Sequence, residues 1–326
     1  MNRTGMNRTG MNRTGVVVVT YNSGEVIERC LDSCANLPAV VVDNASQDNT
    51  VELVRRRPSV KLIANPSNRG FAGAANQGVA ALDTEMILLL NPDVELQTPV
   101  DALADACGGE NVGLATGKLV DSDGKVQTGF TVRRFPTPLT LAFEVLGINR
   151  LLPWNPSNRR YRCLDLDLSQ PAEVEQPPGA FLMFRREVWQ RLGGFDTQFH
   201  PLWFEDVDFV KRARSLGLKI HYLPDITARH QGGHSIAGME WGCREVCWYV
   251  SLLGYTSKHF RPYAYRGVSA AVVLGSLVRA IIGMIRRRSF RPVQVYAKIA
   301  RIAGFGLISG HVRQLKCSSS YSKAAG

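Results

Sequence analysis

Residues 88–96 read LLLNPDVEL. Three leucines with no polar break describe a strand buried on both faces. The chain then turns on Asn91-Pro92-Asp93, with Glu95 close behind. Asn, Pro and Asp are common turn residues, but a carboxylate at the end of a buried strand can also meet a cation. The elements on either side give that turn its meaning. Upstream, VVVVTY (16–21), AVVVDNAS (39–46), SVKLIANP and EMILLL read as short buried strands. Between them GEVIERCLDSCANL, SQDNTVELVRRR and GFAGAANQGVAAL carry helical spacing. Strands alternating with helices predict an α/β fold whose central sheet is mainly parallel and flanked by helices.

Downstream the pattern loosens. GLATGKLVDSDGKVQTGF reads as two strands about an Asp-Gly turn, and residues 130–178 show no clear long element. GAFLMFRREVWQRLGGF predicts a strand and a short helix, EDVDFVKRARSLG an amphipathic helix closed by Gly217, and LKIHYLP a strand ended by Pro224. From about Met239 the chain reads as helical.

Ligands of open α/β sheets bind beyond the carboxyl ends of the strands. Those ends carry Thr20, Asn22, Asp43, Asn44, Asp93 and Glu95, which places them on one rim. The turn after the first strand, TYNSGE, has neither the G-x-G-x-x-G of a dinucleotide site nor a P-loop. A phosphate-bearing ligand would therefore be held through a metal on carboxylates, with Asp93 the candidate. Glu205, Asp206 and Asp208 crowd the start of a helix. That crowding stabilises a helix N-terminus, or it raises the pKa of one member and makes a general base. His230 and His234 lie in ARHQGGHS, where a neutral imidazole could join a metal site.

The 326 residues carry a formal net charge of +11, and no Asp or Glu occurs from Arg261 to Gly326. That basic stretch contains GVSAAVVLGSLVRAIIGMI followed by RRRSFR. The pairing favours an anionic membrane surface over nucleic acid. Arg279 breaks the run short of the ~20 residues a spanning helix needs. A buried helix with a solvated basic end is the competing reading. The seven cysteines include two C-x3-C pairs, Cys30/Cys34 and Cys243/Cys247. Without matched histidines they read as buried reduced thiols. MNRTGMNRTGMNRTG has no apolar core, so it is not a signal peptide, and residues 1–15 read as disordered low complexity.

Seven ordered stretches across residues 16–260 together resemble glycosyltransferase family 2, the inverting enzymes of the GT-A fold. They are VVVVTYNSGEVIERCLDSC, VVVDNASQDNT, NPSNRGFAGAANQG, LLLNPDVEL, PPGAFLMFRREVWQRLGGFD, WFEDVDFVKRARSLG and ARHQGGHS. Within the family the chain is similar to bacterial rhamnosyltransferases of cell-surface polysaccharide synthesis. The resemblance implies a transferase domain over 16–260 and a basic amphipathic helical extension over 261–326. It implies a donor-nucleotide site at Thr20, Tyr21, Asn22, Asp43, Asn44, Asn68, Arg69, Gly70, Phe71, Asn76 and Asn91. Gly179, Ala180 and Trp203 would meet sugar and acceptor. Asp93 and His230 would hold Mn2+ or Mg2+, with His234 the weaker choice. Asp206 would be the base and Glu205 its helper. Asn91 stands where the family's Asp-x-Asp motif begins, which leaves one carboxylate.

The implied partners are a nucleotide-sugar donor, with dTDP-rhamnose the first choice over UDP-hexose, GDP-sugar or galactofuranose donors, and a polyprenyl diphosphate-linked glycan acceptor. The implied place is the cytoplasmic face of the membrane. A nucleotidyltransferase lacks support because TYNSGE is not its Gly-rich loop. A non-catalytic sugar-binding protein would not need the set Asp93, Asp206 and His230.

Overall fold

A computed structural model describes residues 13–233 and 238–310. The chain divides into two compact units. The first comprises residues 1–135, 162–197 and 205–238, and the second 136–161, 198–204 and 239–326. This division by contact is not the one at residue 260 that the resemblance implies: two earlier segments join the C-terminal helices.

The first unit is built on β1 (Thr14–Thr20), β2 (Ala39–Asp43), β3 (Val60–Ala64), β4 (Met86–Leu90), β5 (Val94–Leu96), β6 (Val112–Val120), β7 (Ala172–Glu173), β8 (Phe181–Arg185) and β9 (Lys219–His230). Its helices are α1 (Ile27–Ser33), α2 (Thr50–Arg55), α3 (Gly70–Ala81), α4 (Asp101–Gly108), α8 (Arg186–Leu192) and α9 (Glu205–Ser215). Among the described residues the sheet runs β3-β2-β1-β4-β8-β6-β9-β5, with β7 on β9. Its first half, β3-β2-β1-β4, is parallel as expected. Beyond β4 it is mixed, because β8 enters antiparallel between β4 and β6.

The strands alternate strictly between two cores. Val16, Val18, Leu88, Leu90 and Met183 face one layer with Ile27, Leu31 and Leu103. Val17, Val19, Leu89 and Leu182 face the other with Ala75, Val79, Val188 and Val210. Burial on both faces is why these strands read as unbroken apolar runs rather than alternating ones. The cysteine reading holds within the described residues: Cys30, Cys34, Cys107, Cys163, Cys243 and Cys247 are buried and none is in a disulfide. Burial pushes the Cys34 thiol up to about 11 and that of Cys107 to about 12, so neither is a thiolate nucleophile at neutral pH.

Three sequence expectations change. β1 begins at Thr14, inside the stretch expected to be disordered, and Arg13 pairs with Asp105 at 2.5 Å. Residues 1–12 lie outside the described residues. The second strand expected after the Asp-Gly turn is only a single bridge, Val120 to Val126. Pro224 does not end its strand. β9 runs on to His230, and the register against β6 slips between Gly117 and Lys118, from Leu223 to Thr227. A bulge there accommodates the missing N–H of proline.

The second unit holds α5 (Pro138–Leu146), α6 (Ile148–Leu151), α7 (Pro156–Tyr161), α10 (Trp241–His259), α11 (Pro262–Arg287) and α12 (Arg291–Ser309). α5 was not foreseen, although its ends are well marked. Thr137 caps it through the Thr140 N–H, Pro138 opens it, and Gly147 closes it at φ 80°. α11 runs straight through Arg279, whose guanidinium donates to the main-chain oxygens of Glu144 and Val145 at 3.0 and 3.1 Å. This 26-residue helix is long and apolar enough to cross a membrane by length and composition, contrary to the shorter run expected, and 33% of its most apolar window is buried in the unit.

The register slip depends on Gly117, where an added Cβ would lie 2.2 Å from the Ile226 carbonyl oxygen and 2.6 Å from Phe181. Gly117→Ala is expected to lower stability by about 1–3 kcal/mol, seen as a lower urea midpoint with an unchanged slope.

Candidate active site

Parallel pairing of β1 with β2 sets Thr20 beside Asp43, and that of β1 with β4 brings the Asn91-Pro92-Asp93 turn to the same end of the sheet. Asp43 is 1% exposed. Its carboxylate accepts from the Thr20 hydroxyl at 2.9 Å, the Ser46 N–H at 2.9 Å and the Ser46 hydroxyl. These bonds make it a brace under the rim. Asn44 is braced likewise, accepting from the N–H of Arg69 and from Asn65 and donating to the Gly70 carbonyl. These bonds tie the end of β2 to the start of α3. Gly70 there has φ 74° and its N–H is taken by Asn68. Tyr21, Asn22 and Phe71 are half-buried, while Asn68 and Arg69 are exposed at the rim. Asn22 holds the turn at φ 51° and accepts the Gln47 N–H at 2.7 Å.

Asn76 stands apart from this group. Its amide donates to the Phe195 carbonyl and accepts from the Phe195 N–H and the Trp189 indole, all within 2.9 Å. It pins α3 to the segment around α8, so its implied nucleotide contact is replaced by packing. Glu95 also leaves the set. Its carboxylate pairs with Arg29 at 3.0 Å and Arg229 at 3.5 Å. Trp203 belongs to the second unit and has φ 78°.

Asp93 and His230 are brought together by the sheet. β5 pairs antiparallel with β9, Val94 opposite His230, and the Gln231 N–H reaches the Asp93 carbonyl at 3.2 Å. The residues are 5% and 4% exposed, and His230 Nε2 lies 3.6 Å from Asp93 Oδ1. That is too long for a hydrogen bond, and Asp93 Oδ1 is buried with no hydrogen-bond partner. Burial lowers the His230 pKa, opposed by the Asp93 charge, which keeps the ring neutral near pH 7. An orphaned carboxylate oxygen beside a neutral imidazole nitrogen suits a divalent cation. Among the described residues no third His, Cys, Asp or Glu completes a cluster, so the remaining positions would fall to ligand oxygens and water. His234 lies outside the described residues.

The second centre adjoins the first. The Asn91 N–H donates to the Ala180 carbonyl at 3.0 Å, and the neighbouring Gly179 N–H donates to Asp206 Oδ2 at 2.8 Å. Asp206 Oδ1 accepts the Val207 N–H at 2.8 Å. Asp206 lies in the first turn of α9, and burial raises its pKa, offset by these two N–H bonds and the Arg133 guanidinium. Glu205 is 7% exposed and its Oε2 has no hydrogen-bond partner. Burial, then the Asp206 charge, pushes its pKa well above the ordinary range. Asp208 is drawn off by Arg212 at 2.8 Å. The helix tip therefore sets two carboxyls with raised pKa side by side, Glu205 the more strongly raised and Asp206 held by two main-chain N–H groups.

Three residues of the site escaped the sequence reading. Gln127, Phe130 and Arg133 follow β6. Gln127 Oε1 lies 2.9 Å from His230 Nδ1, Phe130 stacks on the His230 ring at 5.0 Å, and Arg133 sits over Phe130 at 5.5 Å. The usable signal was the Asp123-Gly124 turn, which reverses the chain and brings the Gln127 N–H back to the Leu119 carbonyl.

Residues 15–193 match the family model Glycosyl transferase family 2. The chain belongs to that family. It is 24% identical over 277 residues to the Pre-mycofactocin glycosyltransferase of Mycobacterium tuberculosis, covering 82% of this chain and 52% of that protein. It is 27% identical over 237 residues to Rhamnosyltransferase WbbL of Escherichia coli K12, covering 67% and 83%. The chain thus spans about half the length of the mycobacterial relative and most of WbbL. The solved mannosyltransferase PcManGT from Pyrobaculum calidifontis, in complex with GDP-Man and Mn2+, superposes at a TM-score of 0.50 with 19% identity, covering 91% and 87% of the two chains. GalNAc-T7 with UDP, GalNAc and Mn2+ gives 0.50 at 15% identity, covering 67% and 43%. The fold is the α/β GT-A fold.

Because Glu205 has a raised pKa in the folded state, the native protein holds a proton that the unfolded chain releases. Stability from this group therefore falls as pH rises through the unfolded carboxylate range towards the folded pKa. Glu205→Gln is expected to flatten that fall, so its stability relative to wild type improves between about pH 4 and pH 7 in urea titrations. An unchanged pH slope would place the proton elsewhere.

Proposed function

We propose that the protein is an inverting glycosyltransferase that moves a sugar from a nucleoside diphosphate donor to a hydroxyl of a lipid-linked glycan. The observation that carries this reading is the bridge from the Asp93 turn through Ala180 and Gly179 to Asp206. It supports a reading in which a donor diphosphate would lie next to a base. The nucleotide would lie across the ends of β1 and β2, among Tyr21, Asn22, Asn68, Arg69 and Phe71. Thr20, Asp43, Asn44 and Gly70 hold that rim in shape. Asp93 and His230 would hold Mn2+ or Mg2+, which supplies Lewis-acid stabilisation of the departing diphosphate when bound.

Asp206 then takes the proton of the acceptor hydroxyl. The freed oxygen attacks the anomeric carbon from the face opposite the leaving group, the glycosidic bond to the nucleoside diphosphate breaks, and configuration inverts in one step. Two main-chain N–H bonds orient Asp206 while its raised pKa strengthens it as a base. The raised pKa of Glu205 disfavours a second negative charge beside it. For the sugar, the relative named as a rhamnosyltransferase favours rhamnose, and dTDP-rhamnose is the donor we propose. Calorimetry with a panel of nucleotide sugars in the presence of Mn2+ separates this from UDP- or GDP-linked donors.

The second unit supports a place on the membrane. α11 exposes Leu274, Leu277, Val278, Ile281 and Ile285, a single helical stripe, and ends in Arg286, Arg287 and Arg288. Such a helix suits an anionic bilayer surface, here the cytoplasmic face where a polyprenyl diphosphate acceptor would be presented.

Asp206→Asn is expected to cut kcat by about 10²–10⁴-fold while nucleotide-sugar affinity in Mn2+ stays within a few-fold. Loss of donor binding instead would remove Asp206 from the role of base. For the membrane, Leu277→Glu with Ile281→Glu is expected to release the protein from phosphatidylglycerol-containing vesicles in co-sedimentation. Undiminished binding would exclude α11 as the contact.

A further inference from the structure

We infer that Gln127 is a positioning residue that fixes the tautomer of His230, holding its proton on Nδ1 so that the Nε2 lone pair faces Asp93. The inference rests on the reading of Asp93 and His230 as cation ligands. It follows from one amide making two bonds to one residue. The Gln127 amide approaches the His230 main-chain carbonyl at 2.8 Å and the His230 ring at Nδ1 at 2.9 Å. A carbonyl oxygen only accepts, so the end of the amide facing it must be the NH2. The other end, facing Nδ1, is therefore the carbonyl oxygen. It can only accept, so Nδ1 must carry the proton.

In a neutral imidazole the second nitrogen is then bare. Nε2 turns to Asp93 Oδ1 at 3.6 Å, where the carboxylate oxygen is buried and has no hydrogen-bond partner. Two acceptors face each other with no proton between them, which agrees with a separation too long for a hydrogen bond. Phe130, nearly parallel to the ring at 15°, stops the imidazole from rotating out of this arrangement. A free histidine side chain in water favours the opposite tautomer, with the proton on Nε2, so Gln127 works against the intrinsic preference. A bare nitrogen aimed at an unpaired carboxylate oxygen is the state a cation needs, reached before any cation arrives.

The test is a long-range proton–nitrogen correlation spectrum of the 15N-labelled protein in EDTA at pH 7.5, paired with Mn2+ calorimetry. In the wild type His230 is expected to show a protonated Nδ1 and an unprotonated Nε2. In Gln127→Leu the Nε2-protonated form should gain population, and Mn2+ affinity should fall about 10–100-fold, with metal-free nucleotide binding and Tm unchanged. Gln127→Glu keeps an acceptor opposite Nδ1 and should keep the wild-type tautomer, which guards against Gln127→Leu failing to fold. A wild-type proton on Nε2, or a tautomer that Gln127→Leu leaves unchanged, overturns the inference. The correct tautomer together with Mn2+ affinity unchanged in His230→Ala would instead overturn the cation reading while leaving the tautomer assignment intact.

Discussion

The antiparallel pairing of β5 with β9, which sets Val94 opposite His230, is the constraint on which the site depends. It places a buried carboxylate and a buried imidazole side by side at a sheet end, with one carboxylate oxygen left unpaired. In a low-dielectric interior that arrangement is unfavourable unless a positive charge joins it. The proton is a poor candidate, since burial disfavours charging His230. Much else follows from keeping β9 in that register, including the bulge that passes Pro224 and the glycine at position 117 that allows it.

The second requirement is closeness between the cation pair and the base, and the mixed half of the sheet provides it. Because β8 runs antiparallel to β4, its beginning meets the end of β4, and residues 179–180 lie against the Asn91-Pro92-Asp93 turn. Gly179 is needed there, since an added Cβ would fall 2.9 Å from the Asp206 Cβ. An all-parallel sheet would have carried residues 179–180 to a different edge. The missing acid at Asn91 matters less in this light: the turn needs the Asn91 backbone, and in the proposed site His230 would provide the second ligand atom.

The fold was legible where the chain is buried on two faces. VVVVTY, AVVVD and MILLL admit no exposed side, so they announced a central sheet with covered faces. The residues that follow those strands could be placed on one rim by topology alone; Asp93 and His230 meet there, and Asp206 adjoins them through Gly179 and Ala180. Orientation was not legible. Whether Asp43 points to a ligand or to Thr20 and Ser46, and whether Asn76 faces the rim or Trp189, depends on partners distant in sequence. Gln127 was hidden for the same reason, as a lone polar residue whose role exists only through β9. α5 was overlooked although Thr137, Pro138 and Gly147 mark its ends, because the surrounding Pro, Arg and Asn masked a nine-residue apolar helix.

The central claim is that Asp93 and His230 together hold the cation that receives the donor diphosphate. Anomalous diffraction from crystals grown with Mn2+ and a nucleoside diphosphate tests it directly. The predicted result is a manganese peak within bonding distance of both Asp93 Oδ1 and His230 Nε2, with diphosphate oxygens completing its shell. A nucleoside diphosphate bound with the manganese peak elsewhere, or with none between these two side chains, would contradict it.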